Sequence, residues 1–229
     1  MISKKHKTIF VHIPKVAGQS IETVFLNDLG LTWETRSELL LRKKTSDEQG
    51  PLRLAHLKAK EYVSLGYIDE NTFRDYYKFS FVRNPYARTI SLYKYLGYSR
   101  IISFSAFVKK ILPEKIKEND FFFLPQYDYL YGKENTLMVD FVGKLETIEE
   151  DIEVVFNEAG LEGATLPHVN KSEKGLKRGL ASLAKKPSLI KDIEGRRLVS
   201  NIKPVLNKTE KQAICEIYKQ DFKYFGYEN

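Results

Sequence analysis

Short apolar runs and longer amphipathic stretches alternate along the chain. Runs rich in β-branched and aromatic residues predict buried strands at residues 7–13, 77–83 and 137–142. Amphipathic stretches that predict helices follow all three runs, at residues 20–27, 85–96 and 147–160. This alternation predicts an α/β fold, a single three-layer α/β/α domain around a central parallel sheet.

Polar residues and prolines at the segment ends predict how the helices begin. Ser20 is expected to cap the first helix, and Pro85 fits the first position of the second because its missing N–H would be unpaired there anyway. Capping boxes are predicted for two later helices: Thr147 with Glu150, and Thr209 with Gln212. Further helical patterns cover residues 58–65, 69–76 and most of 103–131.

Composition limits the class of protein. The chain has 229 residues, 42% of them apolar and 29% charged, as in ordinary globular proteins, and one domain over 1–229 is expected. Cys215 is the only cysteine, so no internal disulfide can form, and no Cys/His cluster has zinc-site spacing. No run reaches the roughly 18 apolar residues of a membrane helix, and no signal peptide is evident. We therefore expect a cytoplasmic protein without a membrane span.

Positive charge is concentrated in one part of the sequence. The net charge is +7, and residues 171–211 contain twelve basic and four acidic residues, while 25 basic and 26 acidic residues lie elsewhere. A surplus of this kind suggests an anionic ligand or surface. Two interpretations stay open: the window is a helical insert exposed to solvent, or a lid that covers or guides an anionic ligand.

The residues after the first strand fit an anion-binding loop. The segment His12-Ile-Pro-Lys-Val-Ala-Gly-Gln-Ser20 joins a strand to a helix start, where backbone N–H groups are unpaired and the helix dipole is positive. Gly18 lets the backbone approach a ligand, Lys15 adds a full charge and Ser20 a hydroxyl. The segment is not a Walker A motif, because its lysine precedes the glycine. An ordinary turn with Lys15 facing solvent remains the alternative.

A second anion-binding pattern follows the strand at 77–83. Arg83 lies at the carboxyl end of this strand, where ligands bind in open α/β sheets, and its guanidinium suits a phosphate. On the next helix Asn84, Arg88 and Ser91 share one face, and Ser91 offers a hydroxyl donor. Two such patterns on adjacent strand ends predict a ligand with two separate phosphate groups.

Together the two motifs resemble those of carbohydrate-type sulfotransferases. Residues 12–20 are similar to the family's 5′-phosphosulfate loop, and Phe81-Val-Arg-Asn-Pro-Tyr-Ala-Arg-Thr-Ile-Ser91 to its 3′-phosphate motif. Similar segments at 166–172 and 218–227 extend the resemblance over nearly the whole chain. The resemblance implies a P-loop-NTPase-like sulfotransferase fold. It also implies transfer of a sulfuryl group from 3′-phosphoadenosine-5′-phosphosulfate to an acceptor hydroxyl, expected on a glycan, without a metal.

The resemblance also implies roles for individual residues. Lys15 and the backbone amides of residues 17–20 would hold the 5′ side of the donor, and Arg83 with Ser91 its 3′-phosphate. Lys15 would in addition neutralise the leaving phosphate. The complete set of predicted donor-binding residues is Lys15, Ala17, Gly18, Gln19, Ser20, Arg83, Ser91, Lys171 and Ser172.

An attacking sugar hydroxyl needs a general base, and the histidines are the candidates. His56 follows an apolar run that suggests a strand end, and family members with a similar histidine use it as the base. His12 is expected as a buried histidine hydrogen-bonded to backbone, and His168 as a base or a ligand contact. Glu146 is expected in a structural ion pair.

Two other functions stay open. A kinase that uses ATP and Mg²⁺ needs an aspartate at a strand end, and the nearest candidate, Asp140, is expected in mid-strand. A non-catalytic protein could bind polyanions through residues 171–211, but this would leave the two phosphate motifs unexplained. We expect a hydroxyl-bearing acceptor and no nucleic acid as partner, and the sequence leaves the oligomeric state open.

Overall fold

The computed structural model of the protein describes residues 1–167, 175–185, 187–200, 202 and 204–228. The chain forms two compact units. The first unit comprises Met1–Arg83 and Gln126–Val169, and the second comprises Asn84–Pro125 and Asn170–Asn229. The single domain over the whole chain stays a prediction.

The first unit is built on a four-stranded, mostly parallel sheet of order β1-β2-β3-β4 within the described residues. The strands are β1 Ile2–Ser3, β2 Thr8–Phe10, β3 Tyr77–Val82 and β4 Phe141–Lys144. Strand β1 is antiparallel to β2, whereas β2, β3 and β4 run parallel. The carboxyl ends of these three strands therefore meet at one edge of the sheet, and the predicted α/β fold with a parallel sheet is confirmed.

Two of the predicted strands agree with the structure and the third is displaced. The strand predicted at 77–83 is β3, and β2 occupies the middle of the run at 7–13. The prediction at 137–142 was wrong in position, since β4 begins only at Phe141. Asp140 ends the preceding loop: its backbone N–H donates to the Lys78 carbonyl and its carboxylate accepts from the Lys78 N–H at 2.7 Å.

The helices confirm the amphipathic stretches. In chain order they are α1 Gly18–Asp28, α2 Glu61–Ser64, α3 Glu70–Asp75, α4 Pro85–Tyr95, α5 Phe104–Ala106, α6 Leu112–Lys117, α7 Tyr127–Leu130, α8 Ile148–Glu158, α9 Gly175–Lys185, α10 Gly195–Val199, α11 Lys208–Ile217 and α12 Lys219–Phe225. A π-helical stretch, Phe107–Ile111, joins α5 to α6. Short 3₁₀ helices are Arg36–Leu39, Leu54–His56, Tyr98–Arg100, Lys133–Asn135, Leu145–Thr147 and Pro187–Asp192.

Both predicted capping boxes were wrong in detail. Thr147 precedes α8, but its Oγ1 donates to the Asp151 carboxylate at 2.7 Å instead of capping the helix. The box predicted from Thr209 lies two residues earlier, where Asn207 and Glu210 exchange both hydrogen bonds. In α8 the Asp151 carboxylate engages the Thr147 hydroxyl, and in α11 the pair Asn207 and Glu210 forms the box instead.

Aromatic rings form the centre of the first unit. Phe10 of β2 stacks on Phe79 of β3 with ring centroids 4.9 Å apart, and Phe25 of α1 lies 6.1 Å from Phe79. All three side chains are fully buried. Helix α1 is thereby packed on the sheet, which fixes the loop that joins β2 to α1.

The second unit has its own apolar core. Helix α4 begins as predicted, with Pro85 in its first turn and the Asn84 carboxamide accepting from the amides of residues 86 and 87. The core of this unit gathers Tyr93, Tyr98, Phe107, Phe123, Ile214 and Phe222. Among the described residues, no helix combines the length and apolar character needed to cross a bilayer.

Candidate functional site

The loop between β2 and α1 has a constrained backbone. Lys15 and Ala17 adopt positive φ angles of 76° and 64°. This left-handed conformation costs about 1–2 kcal/mol for a residue with a side chain, and such strain is concentrated at functional sites. Left-handed turns of this kind direct successive backbone N–H groups towards a common concavity that binds anions. The loop therefore has the backbone shape expected of an anion site.

The start of α1 has no cap of its own. Its N-cap residue is Ala17, whose methyl group cannot accept a hydrogen bond, and its first turn contains no acidic residue. Ser20 lies within that first turn, so the prediction that it caps the helix was wrong. Because neither a side-chain acceptor nor a carboxylate of the first turn compensates the positive end of the helix dipole, this end suits an external anion.

Gly18 is required for a reason that the sequence did not reveal. A Cβ atom at this position would lie 1.9 Å from Nε2 of His12 and 2.3 Å from two ring carbons. Sequence reasoning attributed the glycine to the approach of a ligand, whereas in the structure the His12 ring occupies the space beside it. Any side chain at position 18 would displace this ring.

His12 is held by a buried carboxylate. Its Nδ1 lies 2.6 Å from Oε1 of Glu22, and the two residues are 7% and 3% exposed. The expected burial of His12 is confirmed, but the partner of its ring is this carboxylate and not backbone. Sequence reasoning missed Glu22, although one signal was present: it lies one helical turn after Gly18, among the buried positions Ile21 and Phe25 of α1.

His56 contacts the same histidine. It lies in the 3₁₀ helix Leu54–His56, so the expected strand end was wrong. Its Nδ1 donates to the backbone carbonyl of His12 at 2.8 Å, and the two rings are 4.5 Å apart at 60°. Because a carbonyl only accepts, the neutral ring carries its proton on Nδ1 and keeps Nε2 as the basic nitrogen.

Burial holds His56 in its neutral form. The side chain is removed from solvent, which lowers its pKa well below the ordinary value of 6.5, and the nearby charge of His12 lowers the pKa further. A neutral imidazole at neutral pH is the form that a general base requires.

Arg83 follows β3 at the sheet edge where the loop between β2 and α1 begins. Phe10 of β2 pairs with Phe79 of β3. The N–H of Val11, the residue after β2, donates to the Phe79 carbonyl. The loop and Arg83 therefore follow neighbouring parallel strands at their carboxyl ends. The Arg83 backbone is bound by Gln126, whose side chain accepts from its N–H and donates to its carbonyl, each at 2.8 Å.

The other predicted donor-binding residues do not lie on the loop or at the strand ends that the structure describes. Ser91 lies in α4 of the second unit and is half-buried, and its role stays a prediction. Arg88 is only 1% exposed and donates to the carbonyls of Phe122 and Leu124, so it supports the second unit. His168, Lys171 and Ser172 lie outside the described residues.

Asp140 does not fit the kinase alternative. It precedes β4, so the expected mid-strand position was wrong, and it lies at the amino end of that strand, opposite the edge from which Arg83 leaves. Its carboxylate accepts from the Lys78 N–H and lies 2.9 Å from Lys78 Nζ. Asp140 therefore connects β3 to the start of β4, at the opposite end of the sheet from the loop between β2 and α1.

A parallel sheet with an anion-type loop and an arginine at adjacent strand ends is the architecture of P-loop-like group-transfer enzymes. The model of the sulfotransferase family matches residues 1–228, and the chain therefore belongs to the sulfotransferase family. Neither the curated proteins nor the solved structures provide a match to this chain. The protein is thus a sulfotransferase, and its predicted membership of the sulfotransferase family is confirmed.

Proposed function

We propose that the protein transfers a sulfuryl group from 3′-phosphoadenosine-5′-phosphosulfate to a hydroxyl of a carbohydrate acceptor. One observation carries the proposal: the strained loop before α1 and Arg83 follow adjacent parallel strands at one sheet edge. Family membership supports sulfuryl transfer and implies this donor. The carbohydrate acceptor rests on the resemblance of the two phosphate motifs.

The residues at this edge fit the donor. Lys15 and the amides of residues 17–20 would hold the 5′ side, since the uncapped end of α1 suits an anionic group. Arg83 would hold the 3′-phosphate through its guanidinium, with Ser91 as a further predicted ligand. When bound, the donor supplies the sulfuryl group, which it carries on its 5′-phosphate.

His56 and Lys15 would have different roles in the transfer step. Nε2 of His56 takes the proton of the attacking hydroxyl, because Nδ1 is engaged with the His12 carbonyl. Lys15 neutralises the negative charge that develops on the leaving phosphate oxygen. A sulfuryl group carries less charge than a terminal phosphate, and transfer without a metal stays a prediction.

Nucleotide preference tests this function. We expect 3′-phosphoadenosine-5′-phosphate to raise the melting temperature more than ADP, or ATP with Mg²⁺, because only the first nucleotide carries a separate 3′-phosphate. Arg83→Ala should remove the difference. Arg74→Ala is the matched control, since Arg74 is exposed and lies before β3. Equal shifts for all three nucleotides in the wild type would count against the proposal.

A further inference from the structure

Gln126 makes an unusual pair of contacts with the backbone of a distant residue. Its side chain is fully buried, and it lies 43 positions from Arg83 in the sequence. The Oε1 atom accepts from the Arg83 N–H and Nε2 donates to the Arg83 carbonyl, both at 2.8 Å. Because a backbone N–H only donates and a carbonyl only accepts, the orientation of the carboxamide is fixed by its partners.

These contacts continue the sheet beyond its last strand pair. The ladder between β3 and β4 ends at Val82, which pairs with Lys144. Arg83 follows immediately, and the Gln126 carboxamide supplies its backbone with the acceptor and the donor that a neighbouring strand would otherwise supply. The backbone of Arg83 is therefore held on both of its polar groups, which fixes the direction in which its side chain leaves the sheet.

We propose that Gln126 is a positioning residue for the 3′-phosphate contact of Arg83, an inference that rests on the proposed function. A bidentate guanidinium–phosphate contact depends on the placement of the guanidinium plane, and an unanchored arginine loses that placement. Gln126 acts through the backbone of Arg83 and makes no contact with the nucleotide itself. The carboxamide supplies the acceptor and the donor on two separate atoms, one for the Arg83 N–H and one for its carbonyl.

Calorimetric titration with two nucleotides separates this role from general support of the fold. The probes are 3′-phosphoadenosine-5′-phosphate and adenosine 5′-phosphate, which differ only by the 3′-phosphate. Gln126→Ala is expected to raise the Kd of the first on the order of tenfold while the Kd of the second changes less than about twofold. In the double variant with Arg83→Ala, the bisphosphate should bind no more weakly than in Arg83→Ala alone.

Two further variants keep the test decisive. Gln126→Asn shortens the side chain by one methylene and is measured instead if Gln126→Ala does not fold. It should weaken binding of the bisphosphate and leave binding of adenosine 5′-phosphate nearly unchanged. Ser80→Ala is the matched control, because it removes an equally buried side-chain hydrogen bond on β3, which the hydroxyl donates to the Val11 carbonyl at 2.7 Å. It should leave the ratio of the two Kd values unchanged.

The outcomes distinguish the two proposals. If the wild type binds both nucleotides equally, the proposed function fails and the role of Gln126 with it. If the wild-type preference survives in the Gln126 variants, or if their effect adds to that of Arg83→Ala, the role of Gln126 alone is overturned. If the Gln126 variants bound both nucleotides more weakly by the same factor, Gln126 would be a merely structural residue and its proposed role would be overturned.

Discussion

At the residue scale, His12 connects three parts of the candidate site. Its ring nitrogen pairs with Glu22, its carbonyl holds His56, and its ring occupies the space next to Gly18. The loop between β2 and α1 therefore contacts the His12 side chain, and the proposed base is held by the backbone carbonyl of the same residue. Sequence patterns suggested that the histidines and the glycine mattered, but the pairing of His12 with the buried Glu22 was not predicted.

Gly18→Ala tests how tightly this arrangement is packed. The added methyl group would overlap the His12 ring, which its pairing with Glu22 prevents from moving freely, so we expect a loss of about 1–3 kcal/mol in the free energy of unfolding. Urea denaturation measures it. Gly195→Ala is the matched control, because a Cβ there meets nothing within 4 Å and its stability should not fall. Equal behaviour of the two variants would contradict the packing described for His12.

The low pKa of His56 predicts the pH dependence of activity. Because burial lowers this pKa below 6.5, the neutral base persists as the pH falls through 6.5 and is lost only near the lower value. The acid limb of kcat/KM should therefore lie below pH 6.5. His56→Ala should abolish turnover while it leaves stabilisation by 3′-phosphoadenosine-5′-phosphate intact, whereas His6→Ala should retain activity. A limb at or above pH 6.5, or persistent turnover in His56→Ala, would place the base elsewhere.

At the element scale, the strands and helices with clear patterns were predictable and their ends were not. β3 was predicted almost to the residue because its run of apolar residues ends in Asn84-Pro85, a strong helix start. The two-residue strand β1 is too short to give a pattern. Helix α1 begins after Ala17, whose left-handed backbone is unusual for alanine and could not be predicted from the sequence pattern.

Arg88 illustrates how a motif residue can support an element instead of a ligand. Its guanidinium joins α4 to the segment before Pro125 by donating to two carbonyls, at 3.0 and 3.2 Å, and lies 5.8 Å from the Tyr218 ring. Helical spacing alone placed it on one face with Ser91. Sequence periodicity identifies a face, but it does not show what that face contacts.

Arg88→Lys should therefore destabilise the protein although it keeps the charge. A lysine ammonium lacks the planar fork that reaches both carbonyls, and a buried carbonyl left without a donor costs about 1–3 kcal/mol. Denaturant unfolding measures the loss. The exposed Arg74→Lys provides the comparison and should change stability by less than about 0.5 kcal/mol. If both variants were equally stable, the carbonyl contacts of Arg88 would be energetically unimportant.

At the scale of the whole molecule, the basic window at 171–211 contains side chains of two kinds. Arg178 donates to the Tyr95 carbonyl and lies over its ring, and Arg197 is bound by Glu194 and the Tyr93 hydroxyl. These arginines stabilise the second unit. The other described basic side chains of the window include three exposed lysines, Lys177, Lys191 and Lys208. Composition revealed the surplus of charge but not this division.

Charge reversal of the exposed lysines tests whether the window guides an anionic acceptor. Changing Lys177, Lys191 and Lys208 to Glu should lower kcat/KM for a sulfated oligosaccharide by about tenfold at low salt, with little effect at high salt, because such attraction is screened. A neutral oligosaccharide should be unaffected. The control changes Lys109, Lys117 and Lys219, which are also exposed in the second unit but lie outside the window. If both triple variants behaved alike, net charge alone would explain the effect.

A crystal structure with 3′-phosphoadenosine-5′-phosphate tests most directly whether one sheet edge binds both the 5′-phosphate and the 3′-phosphate of the nucleotide. We expect the 5′-phosphate on Lys15 and the amides of residues 17–20, and the 3′-phosphate on the Arg83 guanidinium. A nucleotide bound away from the β2–α1 loop, or one whose 3′-phosphate does not contact Arg83, would contradict the proposed site.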